Sequence, residues 1–103
     1  GDDKFALTVV PYEQVKEFGA GPDGVDDVVS AMRDIDGVEL AIVLRELENG
    51  DVRGNVRSQE YFDCCKYAEG FGGGGHVRAA GFNAKGDINE IANEVIKRVQ
   101  DIL

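Results

Sequence analysis

The sequence predicts an α/β domain in which a mixed sheet of four to five strands carries helices packed on it. Three observations carry that expectation. Val38 to Leu44 is almost continuously apolar, the mark of a strand buried on both faces. From Val25, the residues Val28, Val29, Met32 and Ile35 keep the spacing of one helical face. Strand-like and helix-like segments also alternate along the chain except at one hairpin, the pattern of a sheet with helices against it. At 103 residues the chain is long enough for one core and not for two, so residues 1–103 are expected to form a single domain.

The elements follow in order. Phe5 to Val10 reads as a strand ended by Pro11, and Pro11-Tyr12-Glu13 suits a helix start that runs to about Phe18. Gly19 to Gly24 is a loop, and Asp26 and Asp27 favour the N-terminus of the helix that follows. After the central strand, Asn49-Gly50 is a strong hairpin signal and returns the chain through Asp51 to Arg57. On this return strand Val52, Gly54 and Val56 share one face, leaving Arg53, Asn55 and Arg57 on the other. A third helix places Tyr61, Cys64, Cys65, Ala68 and Phe71 on one stripe, and a short strand is expected near Ala80 to Ala84. Asp87 with Glu90 forms a capping box. Beyond it Ile88, Ile91, Ala92, Val95, Ile96, Val99 and Ile102 make a long amphipathic face.

The segment Phe71 to Phe82, FGGGGHVRAAGF, stands apart. Glycine loses more backbone entropy on folding than any other residue, so four in a row are destabilising unless the site needs them. An anion-binding nest is one such need: without Cβ atoms, the N–H groups of Gly73, Gly74 and Gly75 can turn together onto a phosphate. His76 and Arg78 would add donors at its lip, arginine's planar fork being suited to phosphate oxygens. Capping of the preceding helix by Gly72 needs one glycine and leaves three over. The glycines are contiguous, unlike GxGxxG, and no Lys-Ser/Thr pair follows as in a Walker loop. Arg57 is open to two readings, a partner in this anion site or a surface ion pair with one of 20 carboxylates.

On these residues the chain resembles the DHH-associated domain, the C-terminal half of many DHH-family phosphoesterases. FGGGGHVRAAGF is similar to that family's GGGH…AAG signature, and Val56-Arg57-Ser58 sits where the family carries a strand ending in Arg-Ser. Asp63 to Phe71 resembles the helix leading into the glycines, and GVELAIVLRE, from Gly37 to Glu46, the core strand of the oligoribonuclease-like branch. Where that branch often reads Ser-Leu-Arg-Ser this chain has Asn55-Val56-Arg57-Ser58, and asparagine still donates and accepts hydrogen bonds.

The resemblance implies a substrate-binding domain whose contacts are Arg57, Ser58, Gly73, Gly74, Gly75, His76 and Arg78, with His76 also assisting at the scissile phosphate. It implies short RNA oligomers or 3′-phosphoadenosine 5′-phosphate as substrates. It further implies that a manganese-dependent catalytic domain, with an Asp-His-His motif, is a separate N-terminal partner outside this chain. Cyclic-dinucleotide phosphodiesterases and RecJ-type exonucleases share the glycine-histidine core. A non-catalytic nucleotide-binding module, or a tRNA-binding appendage like that of alanyl-tRNA synthetase, belongs to a different class of answer.

Charge and composition narrow these. With 20 acidic and 11 basic residues, the chain carries a formal charge of −9 and lacks the basic stripe that long nucleic acid demands. Phosphate binding must then be local, and the tRNA reading is disfavoured. One histidine and no carboxylate-histidine cluster mean no metal bound by this chain and no catalysis by it alone. Adjacent Cys64 and Cys65 cannot readily meet disulfide geometry, so buried thiols in a reducing cytoplasm are expected. No apolar run approaches the ~20 residues of a membrane span. A homodimer is left open.

Overall fold

The structure is a computed structural model that describes residues 5–14, 22–35 and 37–102, with side chains from residue 28 onward in the first helix. Five strands form one mixed sheet: β1 (Phe5–Val10), β2 (Leu40–Glu46), β3 (Val52–Ser58), β4 (Gly74–Gly75) and β5 (Ala79–Ala84). Their order across the sheet is β1-β2-β3-β5-β4. β1 runs parallel to β2, and every other neighbour is antiparallel. Among the described residues three full helices pack on this sheet: α1 (Pro22–Arg33), α2 (Cys64–Glu69) and α3 (Ile88–Ile102). The mixed α/β fold expected from the sequence is the one observed.

Period-two alternation assigns each strand residue to one of two layers. On one face Leu40, Ile42 and Leu44 of β2 pack with Val52, Val56, Ala80 and Phe82 against Cys64, Tyr67 and Ala68 of α2 and Ile88, Ala92, Val95 and Val99 of α3. On the other, Ala41, Val43 and Val10 pack against Val29 and Met32 of α1 and against Val38. β2 is thus buried on both sides from Leu40 to Leu44, as its unbroken apolar run predicts. The larger core continues into a stack in which the Phe82 ring lies over Gly54, Phe71 stacks on Phe82 at 4.5 Å, and the Arg98 guanidinium lies 4.2 Å from the Phe71 centroid. Arg98 also donates to the Gly70 carbonyl at 2.8 Å, tying α3 to the end of α2.

The hairpin forms where Asn49-Gly50 predicts it. Gly50 sits at φ 90°, its N–H donates to Leu47 O, and the Asn49 side chain accepts from the Asp51 N–H. Several boundaries move. β2 begins at Leu40, two residues after Val38, whose N–H donates to Ile35 O in the turn that precedes the strand. α1 begins at Pro22 and takes in Gly24, with proline in the first turn where its missing N–H costs nothing. Val28 and Ile35 are exposed, so the buried stripe of α1 shortens to Val29 and Met32 among its described side chains.

Residues 12–14 are helical; the rest of the helix expected to Phe18, and Gly19, Ala20 and Gly21 of the loop, lie outside the described residues. Tyr61 precedes α2 and is exposed, while Tyr67, left out of the expected stripe, is buried with its hydroxyl donating to Val95 O at 2.9 Å. Asp87 caps α3 by accepting from the Asn89 and Glu90 N–H groups. The α3 stripe ends before Ile102, which is 60% exposed.

Candidate functional site

The glycine run divides between two structures. Gly72 takes φ 83°, its N–H donates to Glu69 O at 3.0 Å, and the Gly73 N–H donates to Ala68 O at 2.8 Å. This pair of bonds is a Schellman closure of α2, and the left-handed position is one that glycine fills without a Cβ penalty. Gly74 and Gly75 then form β4, opposite Gly81 and Ala80 of β5. The nest expected from Gly73, Gly74 and Gly75 loses the first of its donors, because the Gly73 N–H is spent with that of Gly72 on the helix end. The His76 N–H is spent as well, on Ala79 O at 2.8 Å, and Ala79 N–H returns the bond to His76 O at 3.2 Å.

The ladder builds a shelf instead. Ala79 pairs with Arg57 on its other side, so His76, Ala79 and Arg57 share one row across β4, β5 and β3. Two strand spacings separate the ends of that row, about 9–10 Å. The next row joins Gly74, Gly81 and Asn55, and the row after it Asn83, Arg53 and Arg45. Paired residues in a row point to the same face, so Arg57 and His76 flank a floor made of Ala79, Gly81 and Gly74. A Cβ on Gly74 would meet nothing within 4 Å, which shows that this floor opens outward. The helix packed on β4 and β5 is α2, from the opposite side.

Of the residues predicted from the sequence, Arg57, Gly74 and His76 come together on this face. The Arg57 Nη1 donates to Val56 O at 2.9 Å and Ala80 O at 3.4 Å, which lays the guanidinium along the ladder. His76 is exposed, and its imidazole has no hydrogen-bond partner among the described residues. Ser58 and Arg78 turn inward. Ser58 is buried, its hydroxyl donating to Phe62 O at 2.7 Å. Arg78 Nη1 donates to Ser58 Oγ at 3.2 Å and Phe62 O at 2.6 Å, and Nη2 donates to Glu60 O. Arg78, expected at the lip, is therefore committed to main-chain carbonyls of the segment before α2. The Gly73 N–H faces the end of α2, away from the shelf.

Sequence reasoning missed the residue that completes this clamp. Glu39 is 6% exposed and accepts from the N–H groups of Glu60, Tyr61 and Phe62 at 2.9 to 3.2 Å. Burial by itself pushes its carboxyl up. The N–H donors of Phe62, Tyr61 and Glu60, with the nearby Arg78 charge, outweigh that and hold it below the usual carboxylate range. Glu39 takes the N–H groups of residues 60–62 while Arg78 takes the carbonyls of Glu60 and Phe62. Val77 O accepts from the Cys64 N–H at 2.8 Å, so the same segment anchors the hairpin tip that presents His76. A charged residue at the head of an apolar strand was the available signal.

Other groups lack matching chemistry. A cavity of about 280 Å³ lies among Tyr61, Phe62, Asp63, Lys66, Tyr67 and Ile102, on the side of α2 and α3 and away from Arg57 and His76. Cys64 is buried, and burial pushes its thiol up; Cys65, expected to be buried too, is only half-buried and lies 3.9 Å from a Glu69 carboxylate oxygen. Both thiols are free. No helix among the described residues is long and apolar enough to cross a membrane.

No group of three His, Cys, Asp or Glu among the described residues is placed to hold a metal ion, so the described residues do not form a manganese site. Manganese added to this chain is expected to wash through on desalting. A stoichiometric ion retained, measured by elemental analysis of the desalted protein, would overturn that expectation.

Over almost its whole length the chain is similar to known proteins. A bifunctional oligoribonuclease and PAP phosphatase, NrnA, from Thermus thermophilus is 35% identical over 100 residues. The alignment covers 96% of this chain and 30% of NrnA, so the chain spans under a third of that relative's length. An exopolyphosphatase-related protein from Bacteroides fragilis superposes with a TM-score of 0.81 at 23% identity, over 98% of this chain and 31% of that one. The C-Ala domain of Aquifex aeolicus alanyl-tRNA synthetase superposes at 0.73 with 12% identity, over 96% of this chain and 89% of that domain. These two likenesses are of fold alone. The DHHA1 domain family matches residues 2–103, almost the whole length, and it includes the glycine-histidine segment, the Arg-Ser strand end and the helix between them. On that match, and on a sheet that brings those segments together, the chain belongs to the DHHA1 domain family.

Proposed function

We propose that this chain is the substrate-binding domain of a DHH-family phosphoesterase, and that it holds a phosphate of a short oligonucleotide or phosphorylated nucleotide on the shelf of Gly74 and Gly81. The observation that carries this reading is the single row of Arg57, Ala79 and His76. It sets a guanidinium and an imidazole, unpartnered among the described residues, on either side of a floor of Ala79, Gly81 and Gly74, with the Arg53 guanidinium lying over Gly81. Arg57 neutralises phosphate charge and aligns its oxygens. His76 supplies a hydrogen bond across the floor, and donors aimed at developing charge are worth most when fixed in advance. Ser58, Glu39 and Arg78 position the hairpin that carries His76. A net charge of −9 restricts attraction to this patch and favours short ligands over long duplexes.

The reading extends to this chain what the NrnA relative is named for, oligoribonuclease and PAP phosphatase action. In such a protein the hydrolytic chemistry comes from metal ions held by an N-terminal DHH domain. The residues described here bind and orient the substrate against it. A cytoplasmic setting suits two free cysteines.

Titration of the isotope-labelled chain with a 5′-phosphorylated dinucleotide tests the site. Amide resonances of residues 74–76 and of Arg57 are expected to move first and to saturate together, with weak affinity because half of the cleft belongs to the other domain. Shifts confined to the cavity beside α2 and α3, with these amides unmoved, would sink the assignment.

A further inference from the structure

β4 is too short to hold itself in place. Its two glycines pair with Gly81 and Ala80 on one side only, at the edge of the sheet. Edge pairing of that length is marginal unless the chain is held at both ends. Beyond β4 the hairpin tip is fastened by the Cys64 N–H, which donates to Val77 O. Before it the chain leaves α2, a six-residue helix that is itself shorter than helices that persist unaided. Support on this side comes from α3, through Tyr67 to Val95 O inside the core and through Arg98 nearer the surface.

Arg98 makes three contacts. Its Nε pairs with Glu94 at 3.1 Å within α3, its Nη1 donates to Gly70 O at 2.8 Å, and its guanidinium lies 4.2 Å from the Phe71 centroid. The Gly72 and Gly73 N–H groups already take Glu69 O and Ala68 O, so Arg98 places a cation on the next carbonyl of the helix end. Gly70 has φ −62° and ψ −19°, a conformation open to any residue. A Cβ there would nonetheless stand 3.3 Å from the Arg98 Nη1, and the missing side chain leaves room for the guanidinium. Phe71 in turn stacks on Phe82 at 4.5 Å. Phe71 stands three residues before Gly74, and Phe82 directly follows Gly81. Each floor glycine is thus tied to one ring of a stack that Arg98 covers.

We infer that Arg98 is a positioning residue for the phosphate shelf, acting from the opposite side of the sheet and without touching ligand. It holds Gly70 and Phe71, and through them sets Gly74 against Gly81. The inference rests on the function proposed above. Without the cation over the ring and on the carbonyl, the segment from Gly70 to Gly75 is in place for only part of the time. Apparent affinity then falls by that fraction.

The test measures dissociation constants for the dinucleotide pApA, and hydrogen exchange at Gly72 and Gly73, in wild type, Arg98→Met, Arg98→Lys and Lys97→Met. Methionine keeps an apolar stem, whereas lysine keeps a cation for the ring and a donor for the carbonyl. Lys97→Met removes the same charge from the exposed neighbouring position. Arg98→Met is expected to weaken pApA about tenfold, as for a shelf formed about a tenth of the time. Exchange at Gly72 and Gly73 should quicken while amides of β2 keep their rates. Arg98→Lys should recover most of the affinity, and Lys97→Met should bind as wild type does.

Wild-type affinity in Arg98→Met overturns the inference and leaves the shelf standing. An equal loss in Lys97→Met does the same, as the mark of net charge alone. So does faster exchange throughout β2, the mark of general destabilisation, or a lysine variant that binds no better than the methionine one. Failure of wild type to show ligand shifts at Arg57 and at residues 74–76 overturns the proposed function, and this inference with it. The Arg98 side chain is 40% exposed, so its replacement is expected to leave the domain folded. Were Arg98→Met to unfold, Arg98→Gln carries the same test with the same outcomes.

Discussion

Glu39→Ala is expected to destabilise the domain by about 3–5 kcal/mol, the range for removing one partner from a buried charged network. The carboxylate accepts from three consecutive backbone N–H groups, those of residues 60–62, and alanine leaves all three without an acceptor. Each orphaned donor costs about 1–3 kcal/mol where water cannot reach it. Glu39→Gln keeps one acceptor oxygen and should lose less. The same group gives a pH dependence. Its folded pKa lies below the unfolded value near ~4.3, so its stabilisation is fully present above that pH. It is then lost as pH falls through the depressed folded value. Urea unfolding at neutral pH and at stepwise lower pH measures both effects. A loss under about 1 kcal/mol for Glu39→Ala, too small for even one orphaned donor, would mean that residues 60–62 are held by something else.

The second large effect separates two neighbouring glycines. A Cβ on Gly73 would sit 2.2 Å from the Gly81 carbonyl oxygen and 2.8 Å from Phe82 Cα, both backbone atoms of β5 that cannot step aside. Gly73→Val is therefore expected to cost on the order of 3 kcal/mol or more, through overpacking that pries β4 from β5. Gly74 has open space where its Cβ would be and no positive φ, so Gly74→Val should fold with wild-type stability or slightly better, valine being favoured in strands. Its isopropyl group would stand on the shelf and exclude a phosphate. Thermal unfolding paired with the dinucleotide titration reads both sides. A Gly74→Val protein that still binds like wild type would remove the shelf from the site.

Much of this was legible in the sequence, for identifiable reasons. The apolar run in β2, the Asn49-Gly50 turn and the Asp87 cap are local signals, and each lies where local physics places it. The alternation Val52, Gly54, Val56 against Arg53, Asn55, Arg57 assigned the two faces of β3 correctly. The glycine run was harder to read. Its chemistry depends on partners far away in sequence, with Ala68 and Glu69 taking two N–H groups and Gly81 and Ala80 pairing the other two residues. A nest and a capped helix followed by an edge strand look alike until those partners are known. The inward turn of Arg78 was hidden in the same way, because its acceptors lie 16 to 20 residues earlier in the chain. Glu39 reads as a surface carboxylate until the segment it holds is seen to fold back over it.

β5 lends its alternate residues to opposite tasks. Ala80 and Phe82 fill the larger core, while Ala79, Gly81 and Asn83 face the shelf and the arginines. A slip of this strand by one position would exchange the two sets, setting the Phe82 ring on the binding surface and a glycine into the core. Misfolding and loss of recognition thus become one event for this strand, with no intermediate species that is well packed yet unable to bind. Ligand capture by a refolded sample would accordingly count the molecules whose strands have paired in the right frame, and single-residue insertions between residues 79 and 84 should abolish capture and cooperative unfolding together.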